Sequence, residues 1–267
     1  MIYLLEQFDS VLKYISSFER ILLFSDFDGT LARIRKDPKS VKLSKKGQHI
    51  LNKIIGNKKI IAGIVSGRKI VELEAFLGTQ ISGNINLFGC HGSEIKFKGS
   101  DIFVAEEAQK AKKSFEPIMN FIINKYDKIR GLVFEKKENS FAVNYRNIKY
   151  SDKDKITVIK NDFNEITDRY PVRLLDLKKV LEIVPLDVDK SLAIKATMVK
   201  YGKILKPYTQ LKICIGDDIT DENLFLKNND GINVKISPVN NQDTHARFFL
   251  KNLSENYIFL NKISEIK

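Results

Sequence analysis

Short apolar runs at 21–24, 60–65, 87–90 and 211–215 each stop at a polar or glycine-containing cluster. Runs of this length, rich in Ile, Leu, Val and Phe, predict strands buried on both faces. Between them the spacing changes to a helical period. Ile50, Leu51 and Ile54 share one face of a helix predicted over 43–55, with Ser44 as its cap, and Val71, Leu73, Phe76 and Leu77 do the same before Gly78. A further helix is predicted over 190–201, a last strand over 231–236, and a short helix closes the chain. Residues 1–20 read as an amphipathic helix. Strands alternating with helices predict a parallel α/β sheet.

The pattern changes at about residue 105. A long helix is predicted over 106–126. Strands follow at 132–135 and 141–145, joined by a turn over 136–140, then a helix over 152–169 and strands at 172–177 and 180–184, with Pro185 ending the block. These strands alternate apolar and polar positions, as expected of an antiparallel sheet with helices on one side. The reading is a core formed by 1–105 and 186–267, with 106–185 inserted as a smaller second domain.

Composition narrows the class. Of 267 residues, 43% are hydrophobic and 29% charged, as in ordinary globular proteins. No apolar run nears the ~20 residues that span a bilayer, and the first twenty residues lack the pattern of a signal peptide. The two cysteines, Cys90 and Cys214, sit beside apolar stretches and read as buried thiols in a reducing, cytoplasmic setting. The three histidines have no metal-ligand spacing. Net charge is +12, but the lysines are spread along the chain without interleaved aromatics. That argues for a solvated surface that attracts phosphorylated substrates, and against nucleic acid or membrane as partner. A monomer is the working expectation.

The candidate chemistry lies where the strands end. Phe24-Ser25-Asp26-Phe27-Asp28-Gly29-Thr30-Leu31 follows the first buried run. Residues two apart on an extended chain share a face, so Asp26 and Asp28 reach one spot, where they repel unless a cation or proton intervenes. Ser66-Gly67-Arg68 at a helix start offers a hydroxyl, free N–H groups and a cation, a cradle for phosphate. His91 ends the third run, and Asp217, Asp218 and Asp221 follow the fourth. Acidic oxygens of this kind suit a hard divalent ion. Lys190 stands where a helix begins, where the helix dipole disfavours cations, which points to a functional partner. Polar strand ends on a parallel sheet line one crevice.

The first of these strings resembles motif one of the haloacid-dehalogenase-like phosphatases, and the rest follow in that superfamily's order. The resemblance is closer to one branch, the trehalose-6-phosphate phosphatases. It is carried by Ile64-Val65-Ser66-Gly67-Arg68, by Gly89-Cys90-His91-Gly92-Ser93-Glu94, by Leu181-Glu182-Ile183-Val184-Pro185 with Asp189-Lys190, and by Gly216-Asp217-Asp218-Ile219-Thr220-Asp221-Glu222. It implies a Rossmann-like α/β core with a parallel sheet plus an inserted α+β cap. It further implies a magnesium-dependent phosphatase that hydrolyses trehalose 6-phosphate through an aspartyl-phosphate. In that scheme Asp26 is the nucleophile and Asp28 the acid and base. Ser66 and Lys190 hold phosphate, Asp221 orients Lys190, and Asp26, Asp28 and Asp217 hold magnesium. Gly67, Arg68 and His91 lie near the substrate, and Glu135, Lys137, Arg146, Lys178 and Glu182 meet the sugar from the cap. Two positions depart from the pattern: Asn144 replaces a His before Tyr145-Arg146, and Ser191 replaces a Gly after Lys190. The alternatives are a phosphatase for sucrose phosphate or mannosyl-phosphoglycerate, and a sugar-phosphate sensor without catalysis.

Overall fold

A computed structural model describes residues 1–137, 139–205, 209–240 and 243–267. In chain order the strands are β1 (Ile2–Tyr3), β2 (Arg20–Ser25), β3 (Ile60–Val65), β4 (Asn86–Gly89), β5 (Glu94–Lys96), β6 (Phe103–Val104), β7 (Val133–Lys136), β8 (Phe141–Asn144), β9 (Val172–Leu177), β10 (Val180–Pro185), β11 (Gln210–Gly216), β12 (Ile232–Ile236) and β13 (Phe248–Leu250). The helices are α1 (Phe8–Ser16), α2 (Lys45–Gly56), α3 (Ile70–Leu77), α4 (Thr79–Ser82), α5 (Glu106–Tyr126), α6 (Lys153–Thr167), α7 (Leu192–Tyr201), α8 (Glu222–Lys227) and α9 (Leu253–Ser264). The chain divides into two compact units, Met1–Phe103 with Asp189–Lys267, and Val104–Val188.

Among the described residues of the larger sheet the order is β1-β13-β12-β11-β2-β3-β4-β5-β6. The most apolar runs take the middle because only there are both faces covered. Thus β2 lies between β11 and β3, parallel to both, with Ile21 opposite Leu211 on one side and Ile60 on the other. Ile21, Leu23, Ile64, Leu87, Ile213 and Val234 belong to one buried cluster that the helices complete through Ile50, Leu51, Leu73 and Phe259. Ser44 caps α2 by accepting a hydrogen bond from Gly47 N at 3.1 Å.

The expected α/β class with a largely parallel sheet is what the chain forms. Four short strands, β1, β5, β6 and β13, escaped the pattern. β1 pairs in parallel with β13, and β5 pairs antiparallel with β4. Elements of two or three residues carry too little period to register. The N-terminal segment is therefore an edge strand and a helix, not a helix alone. α7 begins at Leu192, so Lys190 stands on the turn ahead of it.

In the unit Val104–Val188 the sheet order is β7-β8-β10-β9, antiparallel throughout. One face carries Phe141, Val143, Leu181 and Ile183, which pack with Ile118 and Ile122 of α5 and Ile159 and Phe163 of α6. Strand pleat sends the alternate residues to the other face. There the register aligns Glu135, Ala142, Glu182 and Leu175 in one row across all four strands. Residue 138, inside the turn expected over 136–140, lies outside the described residues. No helix among the described residues is long and apolar enough to cross a membrane.

Candidate active site

The parallel register of β11, β2 and β3 brings three sequence-distant loops to the same end of the sheet. Asp26 leaves β2 and donates its backbone N–H to Ile215 O of β11 at 2.9 Å. The chain then turns tightly, with Leu31 N and Ala32 N both bonded to Phe27 O. Gly29 makes the turn possible: its φ is +89°, and a Cβ there would lie 2.2 Å from Asp217 Oδ2. Phe27 is buried beneath the turn, and α9 braces it through Asn256 Nδ2 to Thr30 O and Tyr257 Oη to Leu31 O.

Lys190 is the hub. The residue is 2% exposed, and its ammonium donates to Asp26 Oδ1 and Asp221 Oδ1, each at 2.7 Å. Asp221, fully buried, uses its other oxygen to accept from Asp218 N at 2.9 Å. Asp217 accepts from Thr30 Oγ1 at 3.3 Å. One carboxylate oxygen from each of Asp26, Asp217 and Asp221 lies within 4.8 Å of the others.

Three carboxylates thus face one ammonium, and the imbalance governs their titration. Burial pushes the Asp26 carboxyl well above the ordinary range. Lys190 opposes the shift, and the charges of Asp221 and Asp217 add to it. Burial, then the charge of Asp221, pushes Asp217 up to about 7. Burial alone would favour loss of the Lys190 proton, but the charges of Asp221 and Asp26 and the hydrogen bonds to both outweigh it and raise its pKa. A divalent cation fits this donor set. The oxygens are hard, the local charge is in excess, and Asp217 Oδ2 accepts no hydrogen bond from the described residues.

Asp28 points elsewhere. Both its oxygens are taken by Arg68, Nε at 2.5 Å and Nη2 at 2.7 Å. The guanidinium also lies 4.8 Å from the centre of the Phe76 ring, which stacks on Phe27. The carboxylates that gather are therefore Asp26, Asp217 and Asp221, where the sequence suggested Asp26, Asp28 and Asp217. Two charge-assisted hydrogen bonds in bidentate geometry hold Asp28 on the guanidinium.

Ser66 directly follows β3, 1% exposed, and its hydroxyl accepts from Arg68 N at 3.2 Å. His91 N donates to Ser66 O and Cys90 N to Arg68 O, joining the two loops. The His91 ring packs against Gly67, where an added Cβ would lie 2.7 Å from Nε2, and the residue is buried in the left-handed region at φ 57°. His91 accordingly supports the Ser66-Gly67-Arg68 loop from beneath.

The second unit holds its own candidates in two groups. Glu182 is buried, and its Oε1 accepts from Lys137 Nζ and Ser140 Oγ, each at 2.8 Å. Exposed Glu135 lies two strands away in the same row. Arg146 and Lys178, both exposed, sit at the other end of these strands, where Tyr145 N bonds Lys179 O. Asn144, at the departure from the family pattern, accepts from Arg146 N at 3.1 Å and so shapes the turn. Sequence reasoning missed Thr30 as a partner of Asp217, the Asp28–Arg68 pair, and Lys235, whose signal was a lysine inside an apolar run.

The trehalose-phosphatase family model matches residues 24–254. The chain belongs to the trehalose-phosphatase family. The activity for which the family is named is that of a phosphoric monoester hydrolase. The chain is similar to alpha,alpha-trehalose-phosphate synthase [UDP-forming] B of Dictyostelium discoideum, 25% identical over 91% of this chain and 30% of that protein's length. It spans a larger share, 70%, of the probable trehalose-phosphate phosphatase 3 of Oryza sativa subsp. japonica, at 29% identity over 93% of this chain. Among solved structures it resembles the C-terminal domain of C. albicans trehalose-6-phosphate phosphatase, with a TM-score of 0.83 at 22% identity over 97% of both chains. A haloacid dehalogenase-like hydrolase from Bacteroides thetaiotaomicron shares the fold at a TM-score of 0.67 and 15% identity, over 91% of this chain and 99% of that one.

Proposed function

We propose that this chain hydrolyses trehalose 6-phosphate to trehalose and phosphate, with Asp26 as nucleophile. The observation that carries the reading is the buried Lys190 bridge between Asp26 and Asp221 beside Asp217. Lys190 fixes Asp26 by one oxygen and leaves Oδ2 for phosphorus. An Asp26 O–P bond forms as the P–O bond to the sugar breaks, and Asp28 gives a proton to the departing sugar oxygen. Water then attacks phosphorus, Asp28 takes its proton, and the Asp26 O–P bond breaks to release phosphate. Asp28 must leave Arg68 to do this, and the substrate dianion is a competing partner for that guanidinium. Ser66 holds a phosphoryl oxygen through its hydroxyl.

Asp26 and Asp217 would hold magnesium, since both oxygens of Asp221 are already engaged. Bound there, the ion would supply positive charge for a reaction between two anions. The unit Val104–Val188 is assigned the role of cap, with Glu135, Lys137 and Glu182 as sugar contacts and Arg146 and Lys178 as a second group. Hydroxyls both donate and accept, so carboxylates next to cations suit them. A different sugar phosphate is the second reading, favoured by Asn144, which serves the Arg146 turn where the family pattern has a histidine.

The test is phosphate release from a panel of sugar phosphates with magnesium present. Trehalose 6-phosphate is expected to give the highest kcat/KM. Preference for sucrose phosphate or mannosyl-phosphoglycerate would replace the substrate, and inactivity on every member would overturn the enzyme reading.

A further inference from the structure

β12 is buried along its whole length, yet its fourth residue is a lysine. A buried ammonium is costly unless it is paired and fully hydrogen-bonded, so the position needs a reason. The parallel register sets Lys235 opposite Gly216, the last residue of β11. From there its Nζ donates to the Asp218 carbonyl and to Glu222 Oε1, each at 2.7 Å. Asp218 directly follows Asp217, and Glu222 directly follows Asp221. One ammonium therefore holds both ends of the turn that carries two of the three clustered carboxylates.

The clamp has a second jaw. Glu222 Oε2 accepts from His245 N at 2.8 Å, and Thr244 Oγ1 lies 2.8 Å and 3.0 Å from the two carboxylate oxygens. These donors come from the connection between β12 and β13, so the turn after β11 is fastened to both neighbouring segments. Phe225, in the first turn of α8, lies 5.7 Å below the ammonium and confines it.

We propose that Lys235 is a positioning residue for the divalent-cation site: by fixing the 216–222 turn it sets where Asp217 sits relative to Asp26, and so sets the affinity of the cluster for an ion of the magnesium class. This rests on the metal reading of that cluster. Lys235 touches neither substrate nor ion and acts through backbone and Glu222. Partners one step removed from a metal typically change its affinity by about 10–100-fold when they are lost.

The experiment is titration calorimetry of the full chain with magnesium chloride, on wild type, Lys235→Met and Thr244→Val, with thermal melts in chelator alongside. Lys235→Met keeps the length of the stem and removes the charge and donors. The expected result is magnesium binding weakened about tenfold or more in folded Lys235→Met, and a smaller loss in the same direction for Thr244→Val. KM for an aryl phosphate at saturating magnesium should change far less than the metal affinity, a split that general loosening of the core would not produce. A folded Lys235→Met with wild-type magnesium affinity overturns the proposal and leaves the metal reading intact. If that variant does not fold, unchanged affinity in Thr244→Val overturns it instead. Wild type that binds no magnesium overturns the metal reading and this inference with it.

Discussion

Without a divalent ion, the cluster of Asp26, Asp217 and Asp221 should make the core less stable as pH rises. Burial and the charge of Asp221 raise the Asp217 carboxyl from its ordinary value of 3.8 to about 7, against the opposing pull of Lys190. Between those two values the folded chain keeps a proton that the unfolded chain has released. Stability rises with pH only where the unfolded state binds more protons, so here it falls. Applied to these two values, linkage removes on the order of 2–3 kcal/mol between about pH 5 and about pH 7.5. At roughly 2–4 °C per kcal/mol for a chain of this size, the loss is on the order of 5–10 °C in Tm.

Asp26 shifts in the same direction and adds to the slope. The other resolved shifts act outside this window. Lys190 is raised, so its contribution is complete below the ordinary lysine value and disappears only above it. Asp162 and Glu265 are lowered by their lysine partners, so what they contribute is lost only as pH falls below the ordinary carboxylate range. Scanning calorimetry from about pH 5 to about pH 7.5 in chelator, and again in magnesium, isolates the cluster. The transition should move down with pH in chelator and hold level or rise in magnesium, which keeps the carboxylates ionised without the penalty. Asp217→Asn should flatten most of the chelator slope. A melting temperature independent of pH in chelator, or the same slope with magnesium present, would refute the argument.

Asp26→Asn should abolish turnover yet leave the metal-free fold as stable as wild type or more so, because one of three repelling carboxylates is gone; melting and phosphate-release assays check both halves. Glu135→Ala and Glu182→Gln should cut kcat/KM for trehalose 6-phosphate by about 10–100-fold each, the worth of a charged hydrogen bond, and leave most of the slow activity on an aryl phosphate. Equal falls on both substrates would move these residues into the chemistry or the fold. Glutamine is chosen at 182 because alanine would leave Lys137 and Ser140 without their acceptor.

The central strands were legible because each is a continuous apolar run that can be buried on both faces only inside a parallel sheet. Once β2, β3 and β11 are adjacent, the polar residues that stop each run must meet, and Asp26, Ser66 and Asp217 could be grouped before any geometry was known. Lys190 was legible for a different reason, as a cation where a helix dipole disfavours one. What pattern could not supply was the choice of partner within the group. Asp26 and Asp28 share a face of an extended chain, but the chain does not stay extended: Gly29 at φ +89° turns it, and Arg68, whose own position is set by the loop beside β4, captures Asp28. That outcome depends on a backbone angle and on a contact forty residues away in sequence. Lys235 shows the same limit from the other side. A lysine in an apolar run reads as an interruption until the register places it opposite Gly216, and only then do the Asp218 carbonyl and Glu222 become its partners. Periodicity determines which strands can be neighbours. The residue-by-residue offset between those strands decides which carboxylate meets which cation, and that offset is fixed by packing of the whole sheet.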